Sequence, residues 1–158
     1  MFSLIISIIA IALVAALALA SIYYGGSAFQ EGSADAEAST VVNQGQQVQG
    51  AVTLADVDEF TVADEDSLVT GNYLKEVPSV RSKSWALNAA DLAAAGTAYA
   101  WIEVEAGKEV CEKIEVEADA AHVVGTTALD GSVVTTQAFG CLETGTTGSE
   151  VYKAYYKM

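Results

Sequence analysis

The chain has 158 residues, and its 21 Asp and Glu against 7 Lys and Arg give a formal net charge of -14. So negative a balance argues against phosphate-backbone binding, which needs clustered cations, and against adsorption on anionic lipid headgroups. The length suits one domain plus an appendage. Charge is unevenly placed: residues 1–30 carry none, and every charged side chain falls between residues 31 and 157. The chain is an apolar segment joined to a strongly acidic part.

Residues 1–24 (MFSLIISIIAIALVAALALASIYY) are apolar apart from Ser3, Ser7, Ser21 and the two closing tyrosines. About 20 apolar helical residues cross a hydrocarbon core of roughly 30 Å, so the segment is long enough to span a bilayer. Serines there can bond back to the helix backbone. Three readings compete. A cleavable signal peptide has a small-residue site in ALALAS, but it wants a basic start and a shorter apolar core, and has neither. A plain membrane anchor is the second. The third is a helix that resides in lipid temporarily and later packs against copies of itself.

The following stretch favours the third. Ala34, Ala38, Val41, Gly45, Val48, Val52 and Ala55 keep an alternating spacing of four and three, a heptad stripe of small and β-branched residues. Glu, Asp, Asn and Gln lie between them. The pattern predicts a helix continuing to about residue 55, with this stripe packed on the rest of the chain. The plainer alternative is an ordinary amphipathic core helix after a linker. Gly25 and Gly26 are the expected helix break, since each glycine weakens a helix by up to about 1 kcal/mol. The expected divisions are 1–24 (apolar helix), 25–55 (amphipathic continuation) and 56–158 (head).

In the head, DVDEFTVADED lacks the alternating ligands, central Gly and closing Glu of a calcium loop and reads as a solvated acidic loop. SLVTGNYLKEVPS reads as a short helix or turn with Leu68, Val69, Tyr73 and Leu74 as anchors. NAADLAAAG has the makings of one or two helical turns, capped by Asn88 or Asp91 and ended by Gly96. TAYAWIEVE alternates, with Tyr99 and Trp101 on one face and Ala100, Ile102 and Val104 on the other. GSVVTTQAFG and EVYKAYYKM are further strands, and ETGTTGS between them reads as a turn-rich loop. KEVCEKIEVE fits helix through Val110 and Ile114, and strand through Ile114 and Val116; helix is favoured. The fold class is α+β, a long N-terminal helix on an antiparallel sheet.

Cys111 and Cys141 most simply pair in an exported domain; two buried thiols are the alternative, and a metal site is poorly served by their spacing. His122, the only histidine, has no nucleophile or carboxylate at recognisable spacing. No phosphate loop, nucleophile elbow or zinc-helix motif occurs. The expectation is a non-enzymatic protein without a cofactor.

The order of these parts resembles a bacterial type IV pilin. DSLVTGNYLKEVPS resembles the segment that follows the pilin helix, and FGC at 139–141 with the closing VYKAYYKM resembles the final disulfide-bounded region and last strand. The start at Met1 resembles a mature type IVb-like major pilin whose basic leader has been removed. One departure is clear: Ile5 stands where most mature pilins carry a Glu.

The resemblance implies a structural subunit that waits in the inner membrane and is extracted by pilus assembly machinery. It would then form an extracellular homopolymeric filament serving adhesion, motility or uptake. Met1, Phe2, Leu4, Ile5, Ile8, Ile9, Ile11, Leu13, Val14, Leu17 and Leu19 would pack the filament core, helped by Ser3 or Ser7. Arg81 and Lys83 are expected to pair with acidic residues of neighbouring subunits. The competing functions are a single-pass anchored binding module and a pseudopilin of a secretion system.

Overall fold

The computed structural model describes residues 2–87, 99–105, 107–119, 123–124, 137–146 and 149–158. The chain divides into two compact units, Met1–Ser33 and Ala34–Met158. Helix α1 (Phe2–Val57) contributes to both. The architecture is α+β, a long N-terminal helix with mainly antiparallel strands.

The expected break at Gly25 and Gly26 is absent, because helix runs through both. Glycine lowers helix propensity, but a sharp kink needs proline, a bulge or an inserted group, and SIYYGGSAFQ contains no proline. The helix stops instead at Glu59, which takes a left-handed φ of 55°. There Phe60 N–H donates to the Ala55 carbonyl (2.8 Å) and Glu59 N–H to that of Asp56 (3.0 Å). This paired closure satisfies carbonyls the last turn would otherwise leave open.

The heptad stripe is the buried face of α1 in the second unit. Ala34, Ala38, Val41, Gly45, Val48 and Ala55 are buried and Val52 is half-buried. Val42 and Ala51 widen the stripe. Exposed Thr40, Asn43 and Thr53 hydrogen-bond the carbonyls four residues back, so that face needs no partner.

The acidic segment after α1 is less a solvated loop than expected. Asp64 caps helix α2 (Glu65–Thr70) in a reciprocal box with Ser67. Asp58 accepts from the Tyr73 hydroxyl (3.0 Å), and Glu65 accepts from the Leu87 N–H (3.1 Å). Leu68 is fully buried, and Tyr73 and Leu74 pack on the same core.

Strands β1 (Ser79–Val80) and β2 (Lys83–Ser84) form a small antiparallel pair. The main sheet has the order β3-β4-β7-β6-β5, made of β3 (Ala86–Leu87), β4 (Tyr99–Glu103), β5 (Val123–Val124), β6 (Phe139–Thr146) and β7 (Ser149–Lys157). It is antiparallel except that β5 joins β6 in parallel. Alternation sorts its faces as anticipated. Ala100, Ile102, Ala154 and Tyr156 join the core with the α1 stripe, while Tyr99, Tyr155 and Trp101 form a smaller cluster.

Two strand boundaries differ from the sequence reading. Of GSVVTTQAFG, residues 131–136 lie outside the described residues; among the rest, Gln137 and Ala138 precede the strand and Phe139 and Gly140 open β6. ETGTTGS is mostly strand: Glu143, Thr144, Gly145 and Thr146 pair with Tyr152, Val151, Glu150 and Ser149. Its Thr/Gly composition suggested a loop, but cross-strand pairing decides strand state more than local composition does. Met1, His122 and the segment 88–96, for which helical turns are expected, lie outside the described residues.

KEVCEKIEVE is helical, as favoured, within α3 (Lys108–Ala118). Its Val110, Cys111 and Ile114 enter the core, and a disulfide joins Cys111 to Cys141 of β6 with Cα atoms 5.4 Å apart. α3 is thereby tied to the sheet across a separation of 30 residues.

Gly45 fixes how closely α1 approaches β7. A Cβ there would lie 2.5 Å from Tyr156 Cδ2 and 3.1 Å from the Trp85 ring. Gly45→Ala should destabilise the head by about 1–3 kcal/mol through overpacking. Gly50→Ala, whose Cβ would meet nothing within 4 Å, should gain up to about 1 kcal/mol of helix propensity. Urea unfolding of the full chain in mild detergent checks both signs. Replacing both cysteines by serine should cost roughly 3–4 kcal/mol in the chain-entropy model, read by the same titration.

Candidate functional site

The distinctive chemical feature is the first turns of α1. Every large apolar side chain from Phe2 to Ile22 is exposed, from 53% at Ile5 and Ile9 to 85% at Phe2. All expected filament-core positions except Met1 fall in this set, and Met1 lies outside the described residues. The helix is long and apolar enough to cross a membrane by length and composition, which suits a membrane anchor or a signal sequence. A helix apolar all round is ordinarily buried in protein or lipid. Burying a Leu, Ile, Val or Phe side chain is worth about 1.5–3 kcal/mol, so removing this surface from water would be worth tens of kcal/mol before ordering costs.

The polar atoms of the segment ask for little. The Ser7 hydroxyl donates to the Ser3 carbonyl at 2.9 Å, so its proton needs no outside acceptor. Tyr23 and Tyr24, 80% and 75% exposed, meet edge to face at 5.5 Å. They mark where the apolar run gives way toward Glu31.

Further along α1, polar side chains beside the stripe reach into the head. The Gln44 amide nitrogen donates to the Ser79 carbonyl and its oxygen accepts from the Trp85 indole, both at 3.0 Å. The Gln49 amide donates to the Lys157 carbonyl at 3.0 Å. Glu37 is buried and receives Arg81, whose Nη2 lies 2.6 Å and Nε 2.8 Å from its Oε2. From the sequence alone these three residues want either water or polar partners, and the structure gives them partners in the head. Their signal was position: each adjoins a stripe residue, where a heptad places its flanking polar contacts.

Arg81 and Lys83, expected to pair between subunits, have partners within the chain. Arg81 sits in the β1–β2 turn at a left-handed φ of 55° beside Glu37. Lys83 meets Glu103 at 2.9 Å and Lys113 meets Asp35 at 3.0 Å. Lys153 lies 4.1 Å over the Trp101 ring, a cation–π contact. The hairpin, the sheet and helix α3 bring these cations onto nearby carboxylates and a ring, which a linear reading could not register.

A groove of about 530 Å³ is lined by Lys108, Glu112, Glu115, Glu143, Glu150 and Tyr152. Burial, followed by the charges of Glu143 and Glu150, pushes the Tyr152 phenol above its ordinary value. Burial and Glu115 do the same to Tyr155. Among the described residues, no group of three or more His, Cys, Asp or Glu is arranged to hold a metal ion. Comparison with family models, curated proteins and solved structures yields no match.

The Arg81–Glu37 pair makes a sharp test of its structural role. Arg81→Ala leaves a nearly buried carboxylate without its cation and should destabilise the head by about 1–3 kcal/mol. Lys83→Ala breaks a half-exposed pair and should cost less than about 1 kcal/mol. Denaturant midpoints of the two variants give the comparison.

Proposed function

We propose that the chain is the structural subunit of an extracellular type IV pilus-like filament, polymerising through its apolar N-terminal helix and serving adhesion, motility or uptake. The observation that carries this reading is the pairing of two helical stretches in α1. Residues 2–22 are apolar and exposed all round, while the stripe from Ala34 to Ala55 is buried against a disulfide-tied sheet. The second stretch joins the helix to a folded head. The first keeps its apolar surface for another environment.

In the proposed cycle that environment is first the inner membrane, from which assembly machinery draws the subunit, and then the helices of other copies. Both exclude water from the same side chains, so the transfer loses little hydrophobic stabilisation. A different face of each copy would meet its neighbour, which generates an open helical polymer rather than a closed ring. The pilin-like order of long helix, sheet and terminal disulfide supports the choice of filament class.

Negative-stain microscopy of sheared cell supernatant tests the reading. The wild-type chain should give uniform thin fibres, and Leu13→Asp should abolish them by placing a carboxylate in an apolar core, while oxidised, protease-resistant head persists. Fibres undiminished by Leu13→Asp would remove the helix from the core. A wild-type chain confined to the membrane pellet, without fibres, would favour an anchored binding module.

A further inference from the structure

The charge balance sets a condition on any such polymer. Complete pairing of the 7 cations with carboxylates, within or between subunits, still leaves 14 negative charges per chain. A homopolymer cannot improve this ratio, because every added copy brings the same deficit. The structure tightens the limit. Arg81, Lys83, Lys108 and Lys113 already pair with Glu37, Glu103, Glu112 and Asp35 of their own chain, and Lys153 covers Trp101. Few cations are left to bridge one head to the next. Meanwhile Asp56, Glu59 and Glu117 are exposed and make no ion pair with another described residue.

We infer that the filament assembles only with small cations drawn from solution, held diffusely around its acidic heads, so that assembly strengthens as ionic strength rises. This rests on the polymer reading and adds its regulation. Apolar burial of the N-terminal helix supplies the attraction, and repulsion between heads opposes it. The repulsion is screened over about 30 Å at 0.01 M salt and about 3 Å at 1 M. Heads brought side by side in a fibre therefore repel strongly in dilute salt and weakly in concentrated salt. Divalent cations act at lower concentration than sodium because each neutralises two carboxylates.

The test uses fibres of the full chain sheared from cells and incubated at neutral pH from about 0.01 M to about 1 M NaCl. Sedimentation measures the pelleted fraction, and microscopy confirms its form. The expected result is dissociation in dilute salt, with a midpoint lowered about two-fold or more in the triple variant Asp56→Asn, Glu59→Gln, Glu117→Gln. MgCl2 and CaCl2 should act alike, each below the NaCl midpoint. Fibres that pellet equally at every salt concentration overturn the inference and leave the polymer standing. An unchanged midpoint in the triple variant overturns it as well, because that outcome marks salting-out of apolar surface. Rescue by calcium alone overturns it in favour of a specific site. A wild-type chain that forms no fibre at any salt overturns both readings.

Discussion

An apolar helix without a polar face has no stable resting place in water, and the rest of this protein is arranged around that constraint. Residues 2–22 present Leu, Ile, Val and Phe around the whole circumference. Beyond the first turn, intrahelical hydrogen bonds satisfy the backbone, and the Ser7 hydroxyl is satisfied by the Ser3 carbonyl. Little polar surface remains to favour solvent. After Glu31 the composition changes and the apolar positions narrow to one stripe. That stripe meets the sheet, and the remaining circumference is mostly polar, with Leu54 and Val57 as exposed apolar exceptions. One continuous helix thus poses two solvation problems, and only the second is answered by the folded head.

Much of this was legible because the relevant signals are periodic. The four-three spacing from Ala34 to Ala55 identified the buried face residue by residue, and the alternation in β4 sorted core from opposite face. Val110 and Ile114 placed α3 correctly. What was not legible depends on distant contacts. Glu143–Thr146 reads as a turn in isolation and becomes strand by pairing with β7. Gly25 and Gly26 suggested a break, yet no neighbouring residue forces one. The destinations of Arg81 and Lys83 depend on a two-strand hairpin that brings them to α1 and β4, which no local pattern encodes.

The join between α1 and the head is more specific than small residues alone require. Gly45 admits Tyr156 and Trp85 to near contact with the helix backbone. The adjacent Gln44 ties the Trp85 indole and the Ser79 carbonyl to that same turn. Two turns earlier, Glu37 holds the β1–β2 turn through Arg81. Apolar burial is non-directional, whereas these polar contacts have defined geometry. They fix the helix's rotation and height against the sheet, which burial of Ala and Val would leave degenerate.

The same distinction bears on Ile5. A carboxylate within an apolar core would offer a directional contact. Here the position is apolar, and residues 2–30 contain no ionisable acid or base apart from the two tyrosine phenols. Packing among such helices discriminates poorly between registers, since sliding exchanges one Ile or Leu contact for another. In the proposed filament, register then falls to the heads, the part with polar geometry and charge. The heads repel, so they can select an arrangement only by permitting it. Directional choice and net attraction would reside in different parts of the subunit, with the apolar helix supplying cohesion and the acidic surface deciding which cohesive arrangements survive.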